Sequence, residues 1–109
     1  MKKISLIFLL FLFSCAGTSK NKVPSFTLRT IDGENFRIDD YLGKKVIIID
    51  FWATWCPPCR AEIPGLVRLY SKYKEEGLLI VGISLDRGGN AEEIVKNFAR
   101  EFEINYPIM

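Results

Sequence analysis

The sequence contains no histidine among its 109 residues. That absence excludes a cysteine–histidine catalytic pair and every metal site built on imidazole ligands. Cysteine is scarce as well, with three residues in the chain, so a zinc site formed by four thiolates is also excluded. The cysteines are left with thiol and disulfide chemistry, and we predict neither a metal nor another cofactor.

The chain also lacks a strong charge of either sign. Its 15 Lys and Arg residues against 13 Asp and Glu give a net charge of +2, and Lys2 and Lys3 lie in a segment that we expect to be removed. Without those two lysines the net charge is zero, so a basic surface for nucleic acid is not indicated. With 49% hydrophobic and 26% charged residues, the composition is typical of one globular domain.

The apolar run at the N-terminus is short for a membrane-spanning helix. Residues 4–13 are apolar except for Ser5, and they follow Lys2 and Lys3, which is the arrangement of a secretory signal. The run has ten residues, whereas a spanning helix needs roughly 20. We therefore predict a signal peptide over residues 1–14 rather than a permanent anchor.

Residues 12–15 read Leu-Phe-Ser-Cys and resemble the bacterial lipobox, in which the cysteine becomes the lipid-bearing first residue of the mature protein. Lipidation of Cys15 also accounts for the odd number of cysteines in an exported chain. The alternative is simple cleavage after Ser14 or a little later. Small and polar residues follow Cys15, so we predict a lipidated tether over residues 15–22 and a folded domain over residues 23–109.

The pattern of the domain predicts an α/β fold. Apolar and polar residues alternate on both sides of a turn at Asp32 and Gly33, which predicts a β-hairpin. The continuous β-branched run at residues 46–51 is typical of a strand buried on both faces of a parallel sheet. In chain order we predict a hairpin over residues 24–38, a helical turn over 39–43, a strand over 46–51, a helix over 56–75, a strand over 78–84, a helix over 91–102 and an extended segment over 103–109.

Two cysteines, Cys56 and Cys59, open the first predicted helix. The unpaired N–H groups and the macrodipole of a helix N-terminus favour a thiolate, so we expect the pKa of Cys56 below the free value of about 8.5. Cys59, three residues later on the same helix face, can then resolve a mixed disulfide formed at Cys56. Pro57 and Pro58 stiffen the turn and tune the reduction potential. A static disulfide is the alternative, although so short a loop constrains the unfolded chain little.

Two acids and two tryptophans flank this pair. Asp50 ends the preceding strand, where burial would raise its pKa and let it take the proton from Cys59. Glu62 is a second candidate acid on the cysteine helix, with a solvated surface charge as the alternative. Trp52 and Trp55 are expected to shield the sulfurs from water, and packing around the crossover is the alternative.

Residues 51–64 read FWATWCPPCRAEIP and resemble the membrane-anchored TlpA/ResA-like branch of the thioredoxin superfamily, with flanking segments that agree over residues 23–109. The resemblance implies a thioredoxin-like fold with an N-terminal β-hairpin. It implies Cys56 as the nucleophile, Cys59 as the resolving cysteine and Glu62 as the acid that distinguishes this branch. Asp50 stands where thioredoxin has its buried aspartate.

The same resemblance implies a thiol-disulfide oxidoreductase on the extracytoplasmic face of a bacterial membrane, held there by its lipid. Its partners would be protein thiols and disulfides, with an upstream dithiol reductant. Exported cysteines such as those of apocytochromes c are the expected substrates. A peroxiredoxin is one alternative, although Thr54 stands two residues before Cys56 instead of three; a copper metallochaperone is another, although that class needs a distal histidine.

Members of this branch continue into a cis-proline loop, two antiparallel strands and a final helix, whereas this sequence stops at Met109. We therefore expect a fold that is incomplete at the C-terminus, as in a fragment or a truncated reading frame, and an inactive fragment of a longer oxidoreductase is a further alternative for the function. We also expect strand 46–51 to expose an apolar edge, so that these residues alone fold poorly.

Overall fold

A computed structural model describes residues 22–109, and the predictions for the signal peptide, for Cys15 and for residues 16–21 lie outside the described residues. Within residues 22–109, no helix combines the length and the apolar character needed to cross a membrane. The predicted order of elements is confirmed. The strands are β1 (Thr27–Arg29), β2 (Asn35–Arg37), β3 (Val46–Trp52) and β4 (Leu78–Ser84), the helices are α1 (Pro57–Tyr73) and α2 (Ala91–Glu101), and single 3-10 turns occur at Ile38–Asp40 and Lys74–Glu76.

The predicted N-terminal hairpin is present. β1 and β2 pair in antiparallel fashion with Leu28 opposite Phe36, and Gly33 in the connecting turn has φ of 87°, a left-handed angle that glycine adopts without steric cost. The buried ring of Phe36 stacks on Tyr41 with the ring centroids 5.1 Å apart. The hairpin and the following 3-10 turn therefore bring apolar side chains onto one face of the central sheet.

The central sheet is parallel. β3 and β4 pair along their whole length, from Val46 opposite Leu78 onward, and α1 connects the two strands. The last residues extend the sheet on the other side of β4, where Gly82 and Ile108 form a parallel bridge. The N–H of Met109 donates to the carbonyl of Gly82 over 2.8 Å. The extended C-terminal segment predicted from the sequence is thus a strand-like neighbour of β4.

The prediction that residues 46–51 are buried on both faces is wrong. Val46 is 70% exposed and Phe51 is 61% exposed, and Trp52 is the one fully buried residue of β3. Among the described residues, β4 is the only strand that pairs with β3, so the other edge of β3 is open, as the sequence predicted. The strand covered on both faces is β4, whose central residues are all buried.

Two apolar clusters lie on opposite faces of this sheet because successive side chains of β4 point to opposite sides. The cluster on the helix side contains the buried residues Trp52, Ile63, Ile80, Val95, Phe98, Tyr106 and Ile108. The cluster on the hairpin side contains Phe36, Ile38, Leu79 and Val81. The cysteine helix therefore rests on the first cluster, against which Cys59 itself packs.

Gly82 permits the close packing at the centre of the helix-side cluster. A Cβ at this position would come within 2.7 Å of Cδ1 of Ile108 and 2.9 Å of Nε1 of Trp52. We expect Gly82→Ala to lower the free energy of unfolding by about 1–3 kcal/mol, which is the usual cost of overpacking a core. Urea denaturation measures this change.

The matched control is Gly65→Ala on α1. Its added Cβ would meet no atom nearer than Nη2 of Arg68 at 4.0 Å. Because alanine is the better helix former, we expect an increase in the free energy of unfolding of up to about 1 kcal/mol. Equal destabilisation by both substitutions would contradict the close approach at Gly82.

Candidate active site

Cys56 and Cys59 are joined in a disulfide, with their Cα atoms 5.3 Å apart. Cys56 is the N-cap of α1, and its backbone is extended, with φ of −96° and ψ of 105°. Its carbonyl accepts the first hydrogen bond of the helix from the N–H of Arg60 at 3.0 Å, and its own N–H donates to the carbonyl of Ala53 at 3.1 Å. Both cysteines are half-buried, so the disulfide lies where the turn after β3 becomes helix.

The two prolines occupy the first two positions of α1. Proline is favoured there because its φ angle suits the helix and its missing N–H would have no partner in the helix. The N–H of Cys59 is then the first backbone donor after Cys56, and no side chain caps the helix. When the disulfide is reduced, the sulfur of Cys56 lies at the positive end of the helix macrodipole, which stabilises the negative charge of its thiolate.

Asp50 lies on the same face of the sheet as this helix. It stands opposite Gly82 in the register of β3 and β4. Alternation places it on the same face as Trp52, which belongs to the helix-side cluster, and Ile48, which packs against that cluster. Burial raises the pKa of Asp50 above its ordinary value, and the negative charge of Glu62 on α1 raises it further. The structure thus brings the two predicted acids close enough to interact, and this interaction favours the protonated form of Asp50.

The two tryptophans near the cysteines have different surroundings. Trp52 is 1% exposed, and its ring centroid lies 5.2 Å from that of Phe98. Cys59 packs against the cluster that contains Trp52. Trp55, the residue before Cys56, is 69% exposed. Trp52 therefore belongs to the apolar support of the disulfide and Trp55 to its surface, while their shielding role stays a prediction.

Asp86 is a polar residue near the cysteine turn that we did not identify as a site residue from the sequence. It accepts hydrogen bonds from the backbone N–H of Thr54 at 3.0 Å, from the Thr54 hydroxyl at 2.5 Å and from the Ser84 hydroxyl at 2.7 Å. Partial burial acts to raise the pKa of Asp86, but these hydrogen bonds outweigh it and lower the pKa. Its position in the sequence could have identified it, because Asp86 follows β4 as Thr54 follows β3. The carboxyl ends of neighbouring parallel strands meet at one edge of a sheet.

Arg60 is a second residue that the sequence did not single out. Its guanidinium lies over the rings of Phe98 and Phe102, 5.5 Å and 5.6 Å from their centroids, and these two rings stack on each other. This cation–π contact connects the first turn of α1 to α2. The guanidinium of the residue that follows Cys59 is thereby held against α2.

Tyr106 is the buried phenol of the helix-side cluster. Its hydroxyl and Nε1 of Trp52 are the buried side-chain polar atoms without a hydrogen-bond partner among the described residues. Burial, with a smaller effect from the charge of Asp50, raises the pKa of Tyr106 to about 12. The phenol therefore stays protonated at neutral pH and does not compete with Asp50 as a proton acceptor. Across residues 22–109, cysteine and acidic side chains form no group of three that could hold a metal ion.

Sequence comparison finds relatives over most of the chain. The model of the AhpC/TSA family matches residues 20–109. The thioredoxin-like protein YneN of Bacillus subtilis is 36% identical over 88 residues, which cover 81% of this chain and 51% of YneN. The thiol-disulfide oxidoreductase ResA of Oceanobacillus iheyensis is 40% identical over 89 residues, which cover 78% of this chain and 44% of ResA. The chain thus spans about half the length of the curated relatives it matches.

Solved structures share the fold. A thiol:disulfide interchange protein of the thioredoxin family from Chlorobium tepidum superposes with a TM-score of 0.71 at 39% identity, covering 80% of this chain and 57% of that protein. A secreted disulfide oxidoreductase from Mycobacterium tuberculosis superposes with a TM-score of 0.67 at 26% identity, covering 77% and 58%. The predicted thioredoxin-like fold is confirmed.

The interaction between the two acids generates a pH prediction. Because the pKa of Asp50 is raised in the folded state, protonation of Asp50 stabilises the fold. This contribution is fully present below the unfolded pKa of about 3.9 and is lost as the pH rises through the raised pKa of the folded state. Glu62→Gln removes a nearby negative charge, so we expect a lower pKa for Asp50 and a smaller loss of stability, which is complete at a lower pH than in the parent. An NMR titration of the Asp50 carboxyl carbon measures the shift.

Glu93→Gln is the control for this titration. Glu93 is an exposed carboxylate on α2 and is not among the groups that raise the pKa of Asp50. The titration of Asp50 should therefore be the same in Glu93→Gln as in the parent. An unchanged Asp50 pKa in Glu62→Gln would show that the two carboxyl groups do not interact.

Proposed function

The chain belongs to the AhpC/TSA family, and we propose that it is a thiol-disulfide oxidoreductase that reduces the cysteines of exported proteins. The observation that carries this proposal is the Cys56–Cys59 disulfide at the first turn of α1. Relatives named thiol-disulfide oxidoreductase ResA agree with the resemblance to the TlpA/ResA-like branch. The activity that these relatives are named for supports the proposal, as does the thiol:disulfide interchange protein of similar structure.

The proposed reaction begins with the reduced protein. The thiolate of Cys56 attacks one sulfur of a substrate disulfide, a bond forms between Cys56 and that sulfur, and the other substrate sulfur leaves as a thiolate and takes up a proton. The thiolate of Cys59 then attacks Sγ of Cys56 and releases the second substrate thiol. Two electrons pass to the substrate, and the Cys56–Cys59 disulfide forms. An upstream dithiol must reduce it before the next cycle.

Asp50 is the proposed acceptor of the Cys59 proton. A raised pKa makes its carboxylate a better base than an ordinary aspartate, and burial of Asp50 together with the charge of Glu62 acts in that direction. Glu62 is exposed on α1, so in this scheme it tunes Asp50 rather than carrying the proton itself. In this scheme Cys56 attacks and Cys59 resolves, and the position of Cys56 at the N-terminus of α1 supports this order because it favours the thiolate there.

The proposed location is the extracytoplasmic face of a bacterial membrane. Residues 1–14 carry the pattern of a signal peptide, and Cys15 would carry the lipid that holds the domain at the membrane. The similar structure from Mycobacterium tuberculosis is described as a secreted protein, which supports export. Cytochrome c maturation is the proposed process by resemblance, with the thiols of apocytochromes as the product of the reduction.

Peroxide reduction is the second candidate, because the family model carries the AhpC/TSA description. Such an enzyme needs hydrogen-bond donors directed at its attacking cysteine. Here the hydroxyl of Thr54, two residues before Cys56, donates to Asp86. This contact favours disulfide exchange over peroxide reduction as the activity of Cys56.

Substitution of each cysteine tests the assignment of roles. We expect Cys56→Ser to reduce the rate of insulin disulfide reduction by dithiothreitol to background, because no attacking sulfur remains. In Cys59→Ser the attack persists without resolution, so a mixed disulfide between Cys56 and the substrate should accumulate and be visible by mass spectrometry.

Cys15→Ser is the matched control, because Cys15 is not part of the disulfide pair and its loss should leave the rate of insulin reduction unchanged. A mixed disulfide formed at Cys59 in Cys56→Ser, at the rate seen for Cys56, would reverse the assigned roles. Consumption of hydrogen peroxide that outpaces insulin reduction under the same conditions would favour the peroxidase.

A further inference from the structure

We propose that Asp86 is a positioning residue for disulfide exchange: through Thr54, it holds the turn that places Cys56 at the N-terminus of α1. This inference deepens the proposed function and rests on it. Asp86 is separated from Thr54 by 32 residues in the chain, and it follows β4 as Thr54 follows β3. Parallel pairing of the two strands brings these two positions to the same edge of the sheet.

Both carboxylate oxygens of Asp86 accept hydrogen bonds, from Thr54 in this turn and from Ser84 at the end of β4. One oxygen, Oδ2, accepts from the backbone N–H of Thr54 and from the hydroxyl of Ser84, and the other, Oδ1, accepts from the hydroxyl of Thr54. The N–H of Asp86 donates in return to the Ser84 hydroxyl at 3.1 Å. Ser84 thus fixes the carboxylate on the end of β4, and the carboxylate fixes Thr54.

Further backbone hydrogen bonds connect this contact to Cys56. The N–H of Leu85 donates to the carbonyl of Trp52 at 2.8 Å, just before the turn, and the N–H of Cys56 donates to the carbonyl of Ala53. Residues 53–56 belong to neither a helix nor a strand, so their path depends on contacts of this kind. Thr54, which contacts Asp86, lies in the chain between Trp52 and Cys56, the residues that take part in these two backbone hydrogen bonds.

An ionised carboxylate suits this role better than any neutral side chain. It only accepts hydrogen bonds, and here it meets three donors, all from Thr54 and Ser84. An asparagine at position 86 would offer one acceptor oxygen and would turn an NH₂ group toward at least one of those donors. Asp86→Asn therefore preserves the shape of the side chain but disrupts the three hydrogen bonds that hold Thr54 to the end of β4.

The reactivity of Cys56 distinguishes this role from a purely electrostatic one. If Asp86 acted only through its negative charge, its neutralisation would stabilise the Cys56 thiolate and lower the pKa of that thiol. If Asp86 positions the turn, its loss lets Cys56 move away from the helix N-terminus. The pKa of Cys56 then rises toward the free value of about 8.5. The two explanations predict shifts of opposite sign.

The experiment measures the pKa of Cys56 in the reduced full chain. The rate of alkylation by iodoacetamide is followed against pH, and mass spectrometry assigns the label to Cys56. We expect Asp86→Asn to raise the pKa by about half a unit or more toward the value of a free thiol. At a pH below the pKa of Cys56, such a shift lowers the thiolate fraction by about threefold and the rate of attack by less, because the nucleophilicity of a thiolate rises with its pKa.

Substitutions of Thr54 test the same contact from the other side. Thr54→Val removes the hydroxyl donor and should raise the pKa of Cys56 in the same direction, whereas Thr54→Ser keeps the hydroxyl and should restore the parent value. Because both residues act through one contact, the double variant Asp86→Asn with Thr54→Val should shift the pKa no further than Asp86→Asn alone. Glu93→Gln, which removes a carboxylate on α2, is the control for loss of charge.

A lowered or unchanged Cys56 pKa in Asp86→Asn and Thr54→Val would overturn the proposal. If Asp86→Asn does not fold, the difference in the Cys56 pKa between Thr54→Val and Thr54→Ser decides the question. Alkylation reports on Cys56 without requiring turnover, so this result is separate from insulin reduction. A raised pKa in a chain that reduces no disulfide would support the positioning role and count against the proposed function.

Discussion

The parallel pairing of β3 and β4 determines where the candidate active-site groups of residues 22–109 lie. It brings the carboxyl ends of both strands to one edge, where α1 begins at Pro57 and the cysteines are joined. It also aligns Asp50 with Gly82 beneath the helix. A shift in this register would separate Thr54 from Asp86 and would remove the support of Cys56 while leaving the cysteine motif itself intact.

Two aspartates near the disulfide illustrate how environment assigns different roles to one residue type. Burial and the neighbouring Glu62 raise the pKa of Asp50, so this carboxyl is suited to exchange a proton. Hydrogen bonds from Thr54 and Ser84 lower the pKa of Asp86, so this carboxylate keeps its charge and serves as a fixed acceptor. The first group responds to the reaction, and the second holds the geometry in which the reaction takes place.

Local patterns predicted the hairpin, both helices and β4, because each depends on residues that are near in sequence. The burial of β3 could not be predicted in this way, since exposure at Val46 and Phe51 depends on which elements pack beside the strand. The cysteine pair and Asp50 were identified from spacing and order. Asp86 was missed because its partner Thr54 is remote in the chain and becomes a neighbour only through the sheet.

We propose that the bond between Cys56 and Cys59 is redox-active rather than a structural crosslink. The reduction potential of this disulfide, measured by equilibration of the full chain with glutathione buffers, distinguishes the two. We predict a value between about −270 and −120 mV, the range of dithiol proteins that exchange disulfides. A potential below about −300 mV, typical of structural disulfides in secreted proteins, would contradict the account.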